Sequence, residues 1–187
     1  MNKIAIAAVS LTVLGIASGT AFAIAVSDPM VGGSAMFATK DIVDNAVNSA
    51  DHTTLVAAVK AASLVDTLKS AGPFTVFAPT NEAFTALPTG TVDSLLKPEN
   101  KATLTKILTY HVVAGKYDSA ALKKLIMDHN GTAELKTVSG GMLTAMMNGP
   151  TNIVIKDEKG DVADISTYDV TQSNGVIHVI DKVMLPN

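Results

Sequence analysis

Four histidines, His52, His111, His129 and His178, are the side chains here best suited to bind a metal or move a proton near neutral pH. Their spacing argues against a metal centre. None stands in an H-x-H, H-x-x-x-H or H-E-x-x-H arrangement, and the chain has no cysteine to complete a zinc site. Met142, Met146 and Met147 offer soft sulfur, but along a strand the first two face one way and the third the other, which suits core filling better than a Cu(I) site. Serine chemistry fares no better. Ser94-Leu95-Leu96-Lys97 fits S-x-x-K, yet neither companion motif follows and Lys97 precedes Pro98, where a helix ends. Ser139 lacks the glycine two residues earlier that a nucleophile elbow requires. The residues predict no enzyme, no metal and no cofactor.

Two of the histidines sit in apolar settings. His111 follows Tyr110 at the end of an apolar helix, and His178 falls between Val176 and Ile180 on one face of an apolar strand. Both are expected to be buried and to need hydrogen-bond partners. A buried neutral histidine must charge as pH falls, which predicts an acid-sensitive fold.

The elements that would position these residues change character along the chain. Residues 24 to 39, with Pro29, Gly32, Gly33 and Ser34, show no period and read as a flexible lead-in. Then Ile42, Val43, Ala46 and Val47 form one helical stripe, and Leu55, Ala58, Val59 and Ala62 a second, with Thr53 or Thr54 as its N-cap. Leu64, Val65 and Leu68 continue on a short helix that Gly72-Pro73 stops. Phe74 to Ala78 reads as a strand, Thr80 as the cap of a helix through Phe84, and Leu104, Ile107 and Leu108 as a further helix face. From there on, strand-like runs dominate: Leu135 to Val138, Met142 to Met147, Asn152 to Lys156 and Val162 to Val170, parted by glycine-rich turns. Ile153 and Ile155 are expected to face Val162 and Ile165 in a hairpin. Helices first and strands later indicate an α+β domain.

Three segments carry a resemblance. Gly72-Pro73-Phe74-Thr75-Val76-Phe77-Ala78-Pro79-Thr80-Asn81-Glu82-Ala83-Phe84, Tyr110-His111-Val112-Val113, and the run from Ser173-Asn174-Gly175 through His178 to Pro186 resemble, in order, the signatures of the fasciclin family. The resemblance implies a β-wedge or sandwich of short strands with several helices packed at its side, as one domain over residues 40–186. It implies structural roles for Thr80, Tyr110, His111, Asn174, Gly175 and His178, with Tyr110 and His111 as a clasp near the core. It also places Asp169-Val170 where animal adhesion members present an Asp-Ile pair to integrins, so that Tyr168, Asp169 and Val170 become candidates for partner contact. Valine replaces isoleucine here, and Thr167, Tyr168 and Thr171 depart from the animal motifs. A solvated aspartate beside a packed valine is the other reading.

Lys3, the apolar run from Ile4 to Ala17 and the Ala21-Phe22-Ala23 ending have the layout of a secretory signal peptide cleaved near Ala23. The remaining residues suffice for one domain without disulfides, matching the absence of cysteine. All 14 basic residues are lysine, and with Lys3 removed 13 face 17 carboxylates, a net charge of −4 that disfavours nucleic acid and electrostatic membrane docking. Asn130-Gly131-Thr132 is a formal glycosylation sequon that a turn already explains. The expected protein is secreted, periplasmic or extracellular, not inserted in a membrane after cleavage, and a monomer or weak homo-oligomer. Its expected work is non-catalytic binding to a cell-surface or matrix protein or a polysaccharide, in adhesion, matrix or biofilm. The alternative is a small-ligand carrier for a lipid, a haem or a glycan.

Overall fold

The computed structural model describes residues 28–187. The signal peptide expected over residues 1–23 lies outside them, as does the start of the lead-in. The rest of that lead-in is built into the fold. Met30–Val31 (β1) and Ser34–Ala35 (β2) pair as a small antiparallel hairpin, and Val31 and Met36 are buried in the core. The expectation of flexibility is corrected by a polar anchor. Buried Asn45 accepts from the Phe37 N–H at 3.0 Å, donates to the Phe37 carbonyl at 2.8 Å, and donates also to Gln172.

Four elements follow as a helical layer: Ile42–Ala46 (α1), a 3₁₀ turn at Ala50–His52, Thr53–Ala61 (α2) and Val65–Lys69 (α3). The apolar stripes fall where expected, except that Val47 is left exposed just past the end of α1. The start of α2 is capped from elsewhere: Asn81 Oδ1 accepts from the Thr54 N–H at 3.0 Å and the Thr53 hydroxyl at 3.1 Å. Next come Phe74–Pro79 (β3), Asn81–Thr85 (α4), Thr91–Leu95 (α5), Lys101–Tyr110 (α6), Val112–Ala114 (β4) and Ser119–Asp128 (α7). The chain ends in Thr132–Lys136 (β5), Met142–Asn148 (β6), Asn152–Lys156 (β7), Val162–Gln172 (β8) and Gly175–Ile180 (β9).

The seven longer strands form one sheet in the order β4-β3-β9-β8-β7-β6-β5. A bridge from Val113 of β4 to Thr137, just past β5, brings its two edges together, so the wedge nearly closes on itself. β3 and β9 run parallel at its centre, and the remaining pairs are antiparallel. The β7–β8 hairpin forms as expected, but Ile155 faces Ala163, and Val162 faces Lys156.

Two cores flank the β3–β9 pair, because successive strand side chains point to opposite faces. Val76, Ala78, Ile177 and Val179 join Ile42, Leu55, Val59, Leu68, Leu104 and Leu108 beneath the helical layer. Phe77 and Ile180 turn the other way, into a second core with Leu122 and Ile126 of α7 and Leu143, Ile153 and Ile155 of the wedge. β9 is buried at all its residues, as a strand walled by apolar groups on both faces must be.

Candidate functional site

The expected motif residues converge on the seams between these layers. Tyr110, at the last turn of α6, is fully buried; its hydroxyl donates to the Met142 carbonyl at 2.6 Å and accepts from the Glu158 N–H at 3.1 Å. Burial pushes the Tyr110 phenol up to about 12. Adjacent His111 donates through Nδ1 to the Ile107 carbonyl at 2.8 Å and accepts at Nε2 from the Met184 N–H at 2.9 Å. This pattern needs the neutral ring, and burial, only partly opposed by the Ile107 carbonyl and Asp157, holds its pKa down at about 4. The expected clasp thus joins α6 to β6, to the β7–β8 loop and to the C-terminal segment.

Asp157 in that loop extends the clasp. Its buried carboxylate accepts from the Lys159, Asp161 and Leu185 N–H groups at 3.0, 2.9 and 3.0 Å. Sequence reasoning recognised the loop but not this residue, although aspartate bonding its own backbone two residues on is an ordinary turn signal.

Asn174 and Gly175 occupy the β8–β9 turn, for reasons other than an Asn-Gly turn of positive φ. Neither residue is left-handed. Asn174 Oδ1 accepts from the Ile42 N–H at 3.1 Å, while Nδ2 donates to the carbonyls of Leu68 at 2.7 Å and Ser70 at 3.0 Å. One side chain therefore ties the start of α1 and the end of α3 to the sheet. At Gly175 a Cβ would stand 2.2 Å from the Phe74 carbonyl oxygen, so glycine is required by the close approach of β3. Thr80 caps α4 as expected, its Oγ1 accepting from the Ala83 N–H at 3.3 Å.

His178 is fully buried, stacked 5.7 Å from Phe77 and edge-on to Tyr168. Its Nε2 donates to the Tyr117 carbonyl at 2.8 Å, and its Nδ1 accepts from the Asp169 N–H at 3.4 Å. Burial lowers its pKa against the pull of the Tyr117 carbonyl and the nearby Asp169 and Asp118 carboxylates.

The candidate contact residues lie beside it, on an irregular stretch of β8 where the register slips between Thr167 and Val170. The slip turns Asp169 outward with φ of 57°, a left-handed conformation aspartate tolerates better than most residues. Its carboxylate accepts from the Ser119 N–H at 2.6 Å and the Ser119 hydroxyl at 2.5 Å, at the first residue of α7. Tyr168 donates its hydroxyl proton to Asn152 Oδ1 at 2.6 Å and accepts from the Ile153 N–H at 2.9 Å. Val170 is 1% exposed and part of the core beneath the helical layer. The expectation that Val170 faces a partner is corrected on this ground: the bulge sends its side chain inward as it sends that of Asp169 outward. Asp169 alone of the three is exposed.

A Ser49–His52 hydrogen bond of 2.9 Å went unforeseen, since nothing in their spacing marks it. Both residues are buried, and no carboxylate bonds the ring, so it is not the base of an accessible nucleophile. Among the described residues no group of three or more histidine, cysteine or carboxylate side chains could hold a metal ion, and no helix is long and apolar enough to cross a membrane.

An α+β wedge whose signature side chains are spent on joining sheet, helices and C-terminal segment defines a structural module. The fasciclin domain family model matches residues 50–186, and the chain belongs to that family. It is 51% identical over 147 residues to protein sll1483 of Synechocystis sp., covering 78% of this chain and 73% of that one. The immunogenic protein MPB70 of Mycobacterium bovis is 38% identical over 146 residues, 75% of this chain and 66% of MPB70. The fold matches that of a FAS1 domain pair from the insect cell adhesion molecule fasciclin I with a TM-score of 0.69 at 20% identity, over 78% of this chain and 51% of that one.

Proposed function

We propose that this protein is a secreted, non-catalytic binding module acting in adhesion to a cell surface, matrix or biofilm. The observation that carries the reading is family membership: the chain shares the fold of a cell adhesion molecule, and a further relative, 37% identical over 124 residues, is the cell surface glycolipoprotein MPB83 of Mycobacterium bovis. The site geometry supports a non-catalytic role, since the buried histidines at the signature positions bond backbone groups instead of converging on an open cleft. Export through a leader fits such work, and the partner is a surface or matrix protein or a polysaccharide. The part of the expected contact pair that a partner can reach is Asp169 with the neighbouring rim of Ser119 and Thr171.

The test is adhesion of a deletion strain, with purified wild-type or Asp169→Asn protein added back. Asparagine keeps an acceptor for Ser119 and removes the charge. Loss of adhesion restored by wild type supports the module, and failure of the variant to restore it locates the contact at Asp169. Undiminished adhesion in the deletion strain overturns the function.

A further inference from the structure

The chain carries three Asn-Gly pairs, Asn130-Gly131, Asn148-Gly149 and Asn174-Gly175. Such a pair is chemically labile: with no side chain on the second residue to obstruct it, the glycine nitrogen can close onto the asparagine side-chain carbon. Closure needs two freedoms. The nitrogen must be unbonded so that it can lose its proton, and the side-chain amide must be free to swing onto it. The fold treats the three pairs differently on both counts.

Asn174 has neither freedom. Its amide is held by the Ile42 N–H and by the carbonyls of Leu68 and Ser70, and Gly175 is locked between β3 and β8. Asn130 is exposed, but the Gly131 N–H donates to the Ile126 carbonyl at 2.8 Å and so closes the end of α7. Asn148 differs from both. It is the exposed last residue of β6, and Gly149 opens the turn to β7 with a φ of 82°. Among the described residues no main-chain hydrogen bond of a turn or loop is donated by the Gly149 N–H. A Cβ on this glycine would meet nothing within 4 Å, so the turn stands in open space.

We infer that Asn148 is a self-modification site, the one Asn-Gly pair of the three that the folded chain leaves free to deamidate. The Gly149 nitrogen gives up its proton and bonds to Asn148 Cγ, the Cγ–Nδ2 bond breaks, and ammonia leaves behind a cyclic imide. Water then opens the ring. Breaking the bond from nitrogen to Cγ gives aspartate, and breaking the bond to the main-chain carbonyl carbon gives isoaspartate, with water the sole co-reactant. Both products put a carboxylate on a turn whose residues, Asn148 to Thr151, carry no charge, and isoaspartate also lengthens the main chain by one methylene. Asn148 pairs across the strands with Asn152, whose side chain accepts from Tyr168 and donates to Asp164. The new charge therefore arises beside the contacts that hold Tyr168. This site follows from the fold and is independent of the adhesion reading.

The test ages the purified chain at mildly alkaline pH in heavy-oxygen water, once folded and once in urea, and follows label at residues 130, 148 and 174 by peptide mass spectrometry. In the folded chain residue 148 should convert first, at least about fivefold faster than residue 130, the ratio that keeping one ordinary net hydrogen bond imposes. Residue 174 should be slower still. In urea, where the protecting bonds are gone, the three rates should draw together. Methylation by a protein isoaspartyl methyltransferase should mark residue 148 in the aged folded chain and be lost in Asn148→Ser. The proposal is overturned if residue 130 or 174 converts as fast as residue 148 in the folded chain. It is also overturned if residue 148 converts only in urea, or if its lead there is as large as in the folded chain. The comparison is made within one wild-type chain, so the result does not depend on a variant folding.

Discussion

At the residue scale, His111 shows how a motif histidine can be structural and still pH-sensitive. Its neutral ring accepts a backbone N–H, and a proton on Nε2 would set two donors against each other. The folded pKa of about 4 lies below the ordinary 6.5, so the unfolded chain takes up the proton first. Stability from this group is complete above pH 6.5 and is lost as pH falls toward 4, by on the order of 3 kcal/mol across that window. Urea denaturation from pH 7 to 4 should show this slope, and His111→Leu should flatten it; an equal slope in the variant would remove His111 as its source. His178, also held neutral by burial and accepting from Asp169, adds to the loss in the same direction. That these two histidines were buried was legible in their apolar neighbours. Which backbone groups they bond was not, because Met184 and Tyr117 lie 73 and 61 residues away. Asp169 was legible as a solvated aspartate at a strand end but neither as part of a bulge nor as the anchor of Ser119, since a bulge leaves no signal in residue alternation. Asp169→Asn should therefore cost less than about 0.5 kcal/mol, because asparagine tolerates the left-handed backbone and still accepts from Ser119, whereas Asp169→Ala should cost about 1 to 2 kcal/mol. Equal melting of the two variants would contradict the anchoring role.

Among the elements, the β8–β9 turn does the most to join the layers. Asn174 bonds three backbone groups on α1 and around the end of α3, and Gly175 lets β3 pass within contact of β9. Asn174→Ala should cost about 2 to 3 kcal/mol, with amide exchange rising first in α1 and α3; uniform acceleration throughout the domain would argue against a local anchor. Gly175→Ala should be far worse, since a methyl 2.2 Å from a main-chain oxygen can be accommodated only by parting the central strands. Failure to recover folded protein is the expected result, and a melting point close to wild type would refute the packing argument. The Asn-Gly pair signalled a turn in the sequence, but the demand for glycine came from a strand a hundred residues earlier. Helix α7 escaped the sequence reading altogether, although Leu122 and Ile126 carry helical spacing and Asp118 caps it, Oδ1 accepting from the Ala121 N–H at 2.8 Å. Strand signals on both sides overshadowed it. The β1–β2 hairpin was lost for a different reason: strands of two residues have no period to detect, and their anchor is Asn45 on the following helix.

Across the whole molecule, the two cores share one wall. Val76 and Ala78 of β3 face the helical layer while Phe77 faces the wedge, and on β9 Ile177 and Val179 oppose Ile180 in the same manner. Helix α6 divides likewise, Leu104 and Leu108 entering the first core and Tyr110 the second. The α+β class and the order of helices and strands were readable from periodicity, but this sharing was not, because it arises from pairing the first long strand with the last. Neither core can lose its packing without exposing the back of the strands that close the other. Thermal unfolding should therefore be a single transition, with amides of α2 and of β6 melting at the same midpoint despite belonging to different cores. Tyr110→Phe tests the coupling, because it removes the hydroxyl bonds to Met142 and Glu158 while leaving the ring in place. It should lower the common midpoint at a cost of about 1 to 2 kcal/mol without separating the two sets of amides. If the β6 amides melted earlier than those of α2 in the wild type, the shared wall would not be enough to make the halves cooperative. Separation seen in the variant alone would assign that coupling to the clasp instead of the strands.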